Sequence, residues 1–531
     1  MSDWSADAIV IGSGFGGAVT ACRLAEAGLR VIVLERGRRW TRDTFPRAAG
    51  DAWRWNDDRP QAENGWLDFR MFRHMAVAQG AAVGGGSLIY ANISVEADRA
   101  TFDAGWPAEV TYDELAPYYR TVGAMMNVQP VPTGQWPART RLMAEAADKT
   151  RHGDRFRPLD LAVTFDPTWS PDEPGAYEHA RSKPFTNREG KQQGTCVHLG
   201  ECDIGCPVLA RNTLDLNYLA RAETKGADVR PLTIVRSIEP QDDGYRVRFE
   251  RIDGRELVPG SETAPIVVVA AGSLGSTELL LRSRDVTRTL PRLPRTLGEG
   301  WSANGDFLTI GYHANRRVDP TRGPTITSAI DFRDGSSGGR PFLIEDGGFP
   351  DLVRSYLGRR TGRRSVWRRR RLLHHAALAL LGDGDTFEHV MPWFSQGRDA
   401  GDGQLRLQPR WWLFGRPTLR LRWDVTVSRP TIEAIIAMHR ELATATDGVP
   451  VVPPTWKLGS YLITPHPLGG CRMGSSPETS VVDHRGAVWG HPGLYVADGS
   501  IVPEAIGANP SRTIAALAER ISQHIVGEAR A

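Results

Sequence analysis

His466 is the side chain best suited to take a proton near neutral pH, because imidazole titrates close to that range. It follows Tyr461 to Thr464 and stands between Pro465 and Pro467, in a stretch TPHPLGGCRMG that reads as loop. A lone histidine in such a loop is commonly a surface or structural imidazole, so its chemistry depends on what the fold sets beside it. Glu345 closes the apolar run Pro341-Phe-Leu-Ile. A carboxylate desolvated at a strand end has a raised pKa and can act as a base toward an apolar compound. Asp346 reads as the exposed turn residue after it, and either acid, taken alone, reads equally as a solvated loop carboxylate. Asn509 and Pro510 follow a predicted strand, Leu494 to Val496, that ends at Asp498; asparagine suits an N-cap and proline the first helical position.

The five cysteines are Cys22, Cys196, Cys202, Cys206 and Cys471. Cys196, Cys202 and Cys206 lie within one short stretch, and thiolates are soft ligands, so the spacing suggests a metal or iron-sulfur site. A fourth cysteine is lacking. Buried thiols in a tight loop are the simpler account, with no metal, and Cys22 and Cys471 read as packing residues.

The elements that would position these groups begin at the first residues. Ala8, Ile9, Val10 and Ile11 form an apolar run suited to a buried parallel strand, and Gly12-x-Gly14-x-x-Gly17 follows at once, opening a helix rich in Ala and Leu. Gly12 permits the turn, Gly14 lets the backbone approach a pyrophosphate, and Gly17 lets helix and strand pack closely. Val31 to Leu34 form the second strand, and Glu35 ends it where a carboxylate can accept hydrogen bonds from an adenosine ribose. Phe15, Gly16 and Arg36 belong to the same candidate contact set. The motif serves NAD and FAD alike. The second glycine-rich segment, Gly84, Gly85, Gly86 and Ser87, offers the further close backbone approach that an extended FAD needs. A helix starting near Asn509 and Pro510 and running through Thr513 would aim its N-terminus at a flavin and stabilise negative charge on the reduced ring.

These pieces carry a resemblance. GSGFGG (12 to 17), GGGS (84 to 87), VVVAAGSLGSTELLLRS (267 to 283), HPLGG (466 to 470) and DGSIVPEAIGANP (498 to 510) resemble, in this order, the glucose-methanol-choline (GMC) oxidoreductases, and among them the cholesterol oxidase branch. The resemblance implies an α/β, Rossmann-like FAD-binding domain interleaved with an α+β substrate domain that contains a β-sheet. The expected division is 1–110, 195–300 and 461–531 for FAD, and 111–194 and 301–460 for the substrate. It also implies oxidation of an alcohol by hydride transfer to flavin, with oxygen or an unidentified electron acceptor as second partner. His466 matches the family's active-site histidine, Asn509 its second polar position, and Glu345 the glutamate that moves a proton in double-bond isomerisation. Asn92, Val235, Gly272, Asp498, Pro510 and Thr513 join the expected cofactor contacts. Where the family usually has Arg or Lys before GGGS and Asn or His after it, this chain has Ala81 and Tyr90. Some relatives have a cysteine where Leu199 stands. A steroid is the substrate the branch favours; sugar or aminoglycoside-type alcohols, non-oxidative lyase, isomerase or decarboxylase chemistry, and a non-catalytic flavin protein stay open.

Composition sets outer limits. The 531 residues suffice for two or three domains, and a net charge of +3 gives no argument for nucleic acid. No run of 18 or more apolar residues appears, and the nucleotide motif begins within ten residues of Met1, so a cytoplasmic location is the default expectation. Nine arginines, Arg354, Arg359, Arg360, Arg363, Arg364 and Arg368 to Arg371, surround Trp367 and precede LLHHAALALLG. The segment reads as a solvated basic helix followed by a core or dimer helix, with peripheral contact to an anionic membrane as the second reading. Short strands such as LRLRW and the helix TIEAIIAMHRELATA would furnish a sheet roofing the flavin. Trp393, Phe394, Trp411, Trp412 and Phe414 suit either its pocket or its core.

Overall fold

The computed structural model describes residues 4–48, 50–352, 386–409 and 417–530. The arginine-rich segment 354–371, the apolar run after it, and Trp411, Trp412 and Phe414 lie outside the described residues. Among the described residues no helix is long and apolar enough to cross a membrane.

Ala8–Ile11 is the central strand of a five-stranded parallel sheet, in the order Leu494–Val496, Ile266–Val269, Ala8–Ile11, Val31–Leu34, Asp228–Arg230. Its four residues are all buried, which is why the run is apolar throughout and does not alternate. Full burial of each large aliphatic chain contributes about 1.5 to 3 kcal/mol. The helix Phe15–Glu26 starts straight after the first strand, and Gly272–Asp285 follows Ile266–Val269 in the same way. The C-terminal helix Ser511–Arg530 packs against Phe15–Glu26 and Tyr112–Met125. Both ends of the chain therefore meet on one sheet.

A second, six-stranded sheet has the order Val449–Val451, Phe307–Tyr312, Val390–Gly397, Phe342–Asp346, Ser328–Phe332, Phe156–Pro158. One face packs on the helices Ala138–Lys149 and Val425–Ala445. His439 on the latter accepts or donates to Thr309 at 3.0 Å and Ser395 at 2.7 Å, and Trp393 is fully buried there. The strand containing LRLRW does not join this sheet: among the described residues Pro417–Arg422 pairs only with Gln404–Pro409. Its alternation of Leu and Arg suits a two-stranded ribbon with one wet face.

The register of the six-stranded sheet decides what faces the other half of the molecule. Leu308, Phe394, Glu345, Ala329 and Arg157 are successive cross-strand partners, so their side chains leave the same face. Gln396, two residues on from Phe394, shares it.

Candidate active site

The nucleotide end is built from close backbone contacts. Gly12 has φ +101°, and a Cβ there would lie 2.4 Å from the carbonyl oxygen of Ala270. A Cβ on Gly85 would lie 2.6 Å from Gly14 Cα, so the two glycine-rich segments touch. Ser13 ties them: its N–H and hydroxyl donate to Glu35 Oε2 at 3.0 and 2.7 Å, and its Oγ accepts the N–H of Gly84 at 3.1 Å. Glu35 Oε1 accepts from Gly37 at 2.8 Å. Val235 lies on the strand Thr233–Gln241, which leaves from beside Glu35 through Thr233 N–H to the Glu35 carbonyl at 2.8 Å. The Arg36 guanidinium is engaged by Asp68 at 2.9 Å and Asp57 at 3.2 Å. Phe15 meets the ring of Tyr90 edge-on at 5.4 Å.

A buried basic residue from far along the chain stands just after GGGS. Arg211 is buried and donates to the carbonyls of Ser87, Leu88 and Tyr90 and to Oδ1 of Asn92. No local spacing announced it. Asn92 has φ +66°, a region asparagine tolerates, and its Nδ2 has no partner among the described residues. At the far end both Asp498 oxygens are filled by protein donors: Gly272 N–H, the Ser276 hydroxyl, and the N–H and hydroxyl of Ser500. Thr513 bonds the Tyr119 hydroxyl at 3.0 Å.

His466 and Asn509 are held by one short segment that the sequence did not single out. Asp306 Oδ1 accepts His466 Nδ1–H at 2.9 Å and Oδ2 accepts the Thr464 hydroxyl at 2.6 Å. Two residues earlier Asn304 accepts the N–H groups of Ile506 and Gly507, both at 3.0 Å, and donates to the Ala508 carbonyl at 2.8 Å. Asp399 braces this segment from behind, accepting from Ser302 Oγ at 2.7 Å and Ala303 N–H at 2.9 Å. Burial works against an imidazolium at His466, but the Asp306 carboxylate and then Glu345 outweigh it, so its pKa lies above the usual range. Burial likewise raises Asp306, with His466 and Thr464 drawing it back; two donors aimed at it favour the carboxylate. With Nδ1 committed as donor, Nε2 is the nitrogen free to accept a proton.

Glu345 is fully buried and burial raises its carboxyl to about 7. Oε2 accepts from Gln396 at 2.9 Å and, more weakly, from Asn509 Nδ2 at 3.5 Å. Oε1 of Glu345, Oε1 of Gln396 and Oδ1 of Asn509 have no partner among the described residues. The Phe394 ring lies 6.1 Å from that of His466, so the sheet face, the histidine and Asn509 surround one place. Two expectations change here. Asp346 is not an exposed turn residue: it is fully buried, accepting from Thr327 and Ser328 and paired with Arg139 at 3.3 Å, because it occupies the opposite sheet face. Asn509 does not cap the last helix, which begins at Ser511 with the Pro510 carbonyl taking the first turn's bond. Its side chain is drawn to Glu345 instead.

The protein leaves room where an extended dinucleotide needs it: a methyl group built on Gly86 or Gly272 would meet no atom within 4 Å. With the paired glycine segments and the Glu35 carboxylate, that cradle fits FAD, and the fold and site define an FAD-dependent oxidoreductase. The family model described as FAD dependent oxidoreductase matches residues 7–151, and that described as GMC oxidoreductase matches residues 400–518. The chain belongs to the GMC oxidoreductase family, and it is an FAD-dependent enzyme acting on alcohols. It is 30% identical over 545 residues to a cholesterol oxidase of Acinetobacter baumannii, covering 99% of this chain and 95% of that one. With a cholesterol oxidase of Mycobacterium tuberculosis it shares 33% over 547 residues, covering 97% and 90%. The fold resembles the crystal structure of pyridoxine 4-oxidase from Mesorbium loti, with TM-score 0.62 at 17% identity over 98% of both chains.

Proposed function

We propose that the site oxidises a hydroxyl-bearing carbon of a largely hydrophobic, steroid-like alcohol to a carbonyl. The observation that carries this is the group of three buried oxygens without protein donors, on Glu345, Gln396 and Asn509, beside the free edge of His466. FAD, when bound, supplies the hydride acceptor. His466 accepts the hydroxyl proton at Nε2, and Asp306 holds the ring in the tautomer that makes this nitrogen basic. Asn509 donates its second amide N–H to the substrate oxygen and stabilises the charge that develops there as the proton leaves. Glu345 changes protonation near neutrality, and for a substrate with a double bond close to the new carbonyl it moves a proton between carbons. The division into FAD and substrate parts at 1–110, 195–300, 461–531 and 111–194, 301–460 belongs to the same proposal.

The likeness to cholesterol oxidases supports the substrate class, as do Phe394 and Leu308 on the sheet face. Anaerobic mixing of the yellow protein with a panel of alcohols that includes 3-hydroxysteroids tests it. Bleaching of the flavin by a 3-hydroxysteroid is the expected result. Bleaching only by sugar-type alcohols would replace the substrate class, and no bleaching of a flavin that dithionite still reduces would move the reading to non-oxidative chemistry.

A further inference from the structure

The loop that carries Cys196, Cys202 and Cys206 encloses a space of about 20 Å³, room for about one water, and burial raises the Cys196 and Cys202 thiols. A larger opening adjoins it through Cys206 and Arg211. It holds about 260 Å³ between residues 39–47, 191–192 and 205–216, and a single water needs about 10 to 15 Å³, so it admits a molecule of on the order of twenty heavy atoms. None of His466, Asn509, Glu345, Gly12, Gly14 and Glu35 lines it, so it is separate from the alcohol site and from the cofactor cradle. Its floor is the back of the second glycine-rich segment. Leu88 lines it, Leu214 N–H donates to Ser87 Oγ at 3.1 Å, and a Cβ on Gly84 would lie 3.6 Å from the backbone nitrogen of Asp215.

Two side chains on its lining keep a buried polar atom open. Among the described residues Asp215 Oδ1 has no donor and Trp40 Nε1–H has no acceptor. Buried polar atoms are nearly always paired, so an open acceptor and an open donor on one cavity call for a group that supplies their partners. The walls are apolar: the Trp40 ring meets Phe45 edge-on at 6.0 Å, and Leu209 and Leu216 stand with them. The outer edge is basic. Arg39 is paired with Glu223 at 2.5 Å and Arg42 with Asp43 at 3.1 Å, which offsets their charge. Arg47 donates to the carbonyls of Gly205 at 3.3 Å and Arg42 at 2.8 Å, and neither Arg47 nor Lys191 is in an ion pair among the described residues. The acid that Arg47 acts on, Glu201, is raised by burial more than Arg47 lowers it.

We propose that this opening binds a small amphiphilic organic anion. Its anionic group pairs with Arg47 and Lys191, its rings or methylenes lie against Trp40, Phe45 and Leu216, and an N–H or O–H of its buried part donates to Asp215. A simple inorganic anion would meet the two cations in full competition with salt; the apolar wall and the open buried atoms select for the amphiphile. The occupant and FAD bear on neighbouring residues of one short stretch, since Gly84 adjoins Asp215 and Gly85 touches Gly14. The assignment does not rest on the alcohol reading.

The probe is anilinonaphthalene sulfonate, an aromatic anion of this size with a single N–H, titrated calorimetrically into FAD-loaded protein. Binding of about one molecule per flavin is expected. Arg47→Glu and Lys191→Glu should each weaken it about tenfold, and added salt should weaken the wild type in the same direction. Phenylnaphthylamine, the same molecule without the sulfonate, should not distinguish the wild type from either variant. Leu216→Trp fills the opening without changing its charge and should remove the site while FAD stays bound. FAD-loaded wild type that binds no sulfonate overturns the proposal, and so does binding that neither the charge variants nor Leu216→Trp alter. Displacement of the probe by a 3-hydroxysteroid, with the charge variants binding as wild type does, would place it in the alcohol site and overturn the proposal equally.

Discussion

On the Nδ1 side of His466 the polar contacts close within the protein. Nδ1 has Asp306, Asp306 has a second donor in Thr464, and the imidazole is only 16% exposed. Around Glu345, on the facing sheet, the opposite holds: a fully buried carboxyl, a glutamine and an asparagine each keep an oxygen without a donor. Buried acceptors left open cost about 1 to 3 kcal/mol each, so the protein tolerates there what it avoids beside the histidine. The difference separates two tasks. On the proposed reading, one side fixes a base in a single orientation, and the other keeps acceptors ready for a donor that arrives with the substrate.

Removing the base should give the largest effect. His466→Ala is expected to slow anaerobic flavin reduction by about 10³-fold while FAD stays bound, since general base catalysis contributes 10² to 10⁴. Stopped-flow reduction alongside the flavin-to-protein absorbance ratio checks it, and unchanged reduction would remove His466 from the mechanism. Glu345→Gln probes the open side through stability. The wild-type carboxyl holds its proton up to about 7, whereas in the unfolded chain it loses it near the ordinary glutamate value of 4.5. The unfolded state thus binds fewer protons between these values, so wild-type stability falls as pH rises from 4.5 to 7, by on the order of 3 kcal/mol. The amide cannot ionise, and its oxygen can still accept from Gln396. The variant should match wild type at pH 4 and exceed it at pH 8 in thermal unfolding; a difference independent of pH would contradict the assignment. Asp306→Asn should act less strongly, by about 30-fold on reduction, because the base survives but loses its orienting partner. With the carboxylate gone the raised pKa of His466 drops, and the acid limb of the reduction profile should shift to lower pH. An unshifted limb would mean that another group carries it.

Much of the nucleotide half was legible because its signals are local. The apolar run Ala8–Ile11, the glycine spacing after it and Glu35 lie in 28 consecutive residues, from 8 to 35, and the structure places them as read. His466, Asn509 and Glu345, which the family pattern named, come together in space. The residues that hold them were not legible. Asp306 is 160 positions from His466, Asn304 more than 200 from the loop it pins, and Arg211 more than 100 from the glycine segment it supports. No periodicity links such partners; only the crossing of the two sheets does. Asp346 was misread because strand alternation places neighbouring acids on opposite faces, one toward the site and one into a buried pair with Arg139.

The segment Ser302 to Asp306 grips the histidine through one side chain and the asparagine loop through another, two residues apart. The proposed proton acceptor and the turn that carries Asn509 are therefore registered to each other through two side chains of one short segment, immediately before the strand Phe307–Tyr312 of the second sheet. A displacement of that segment would reach the His466 imidazole and the Asn509 turn together, so the two cannot be re-aimed independently of each other from that strand.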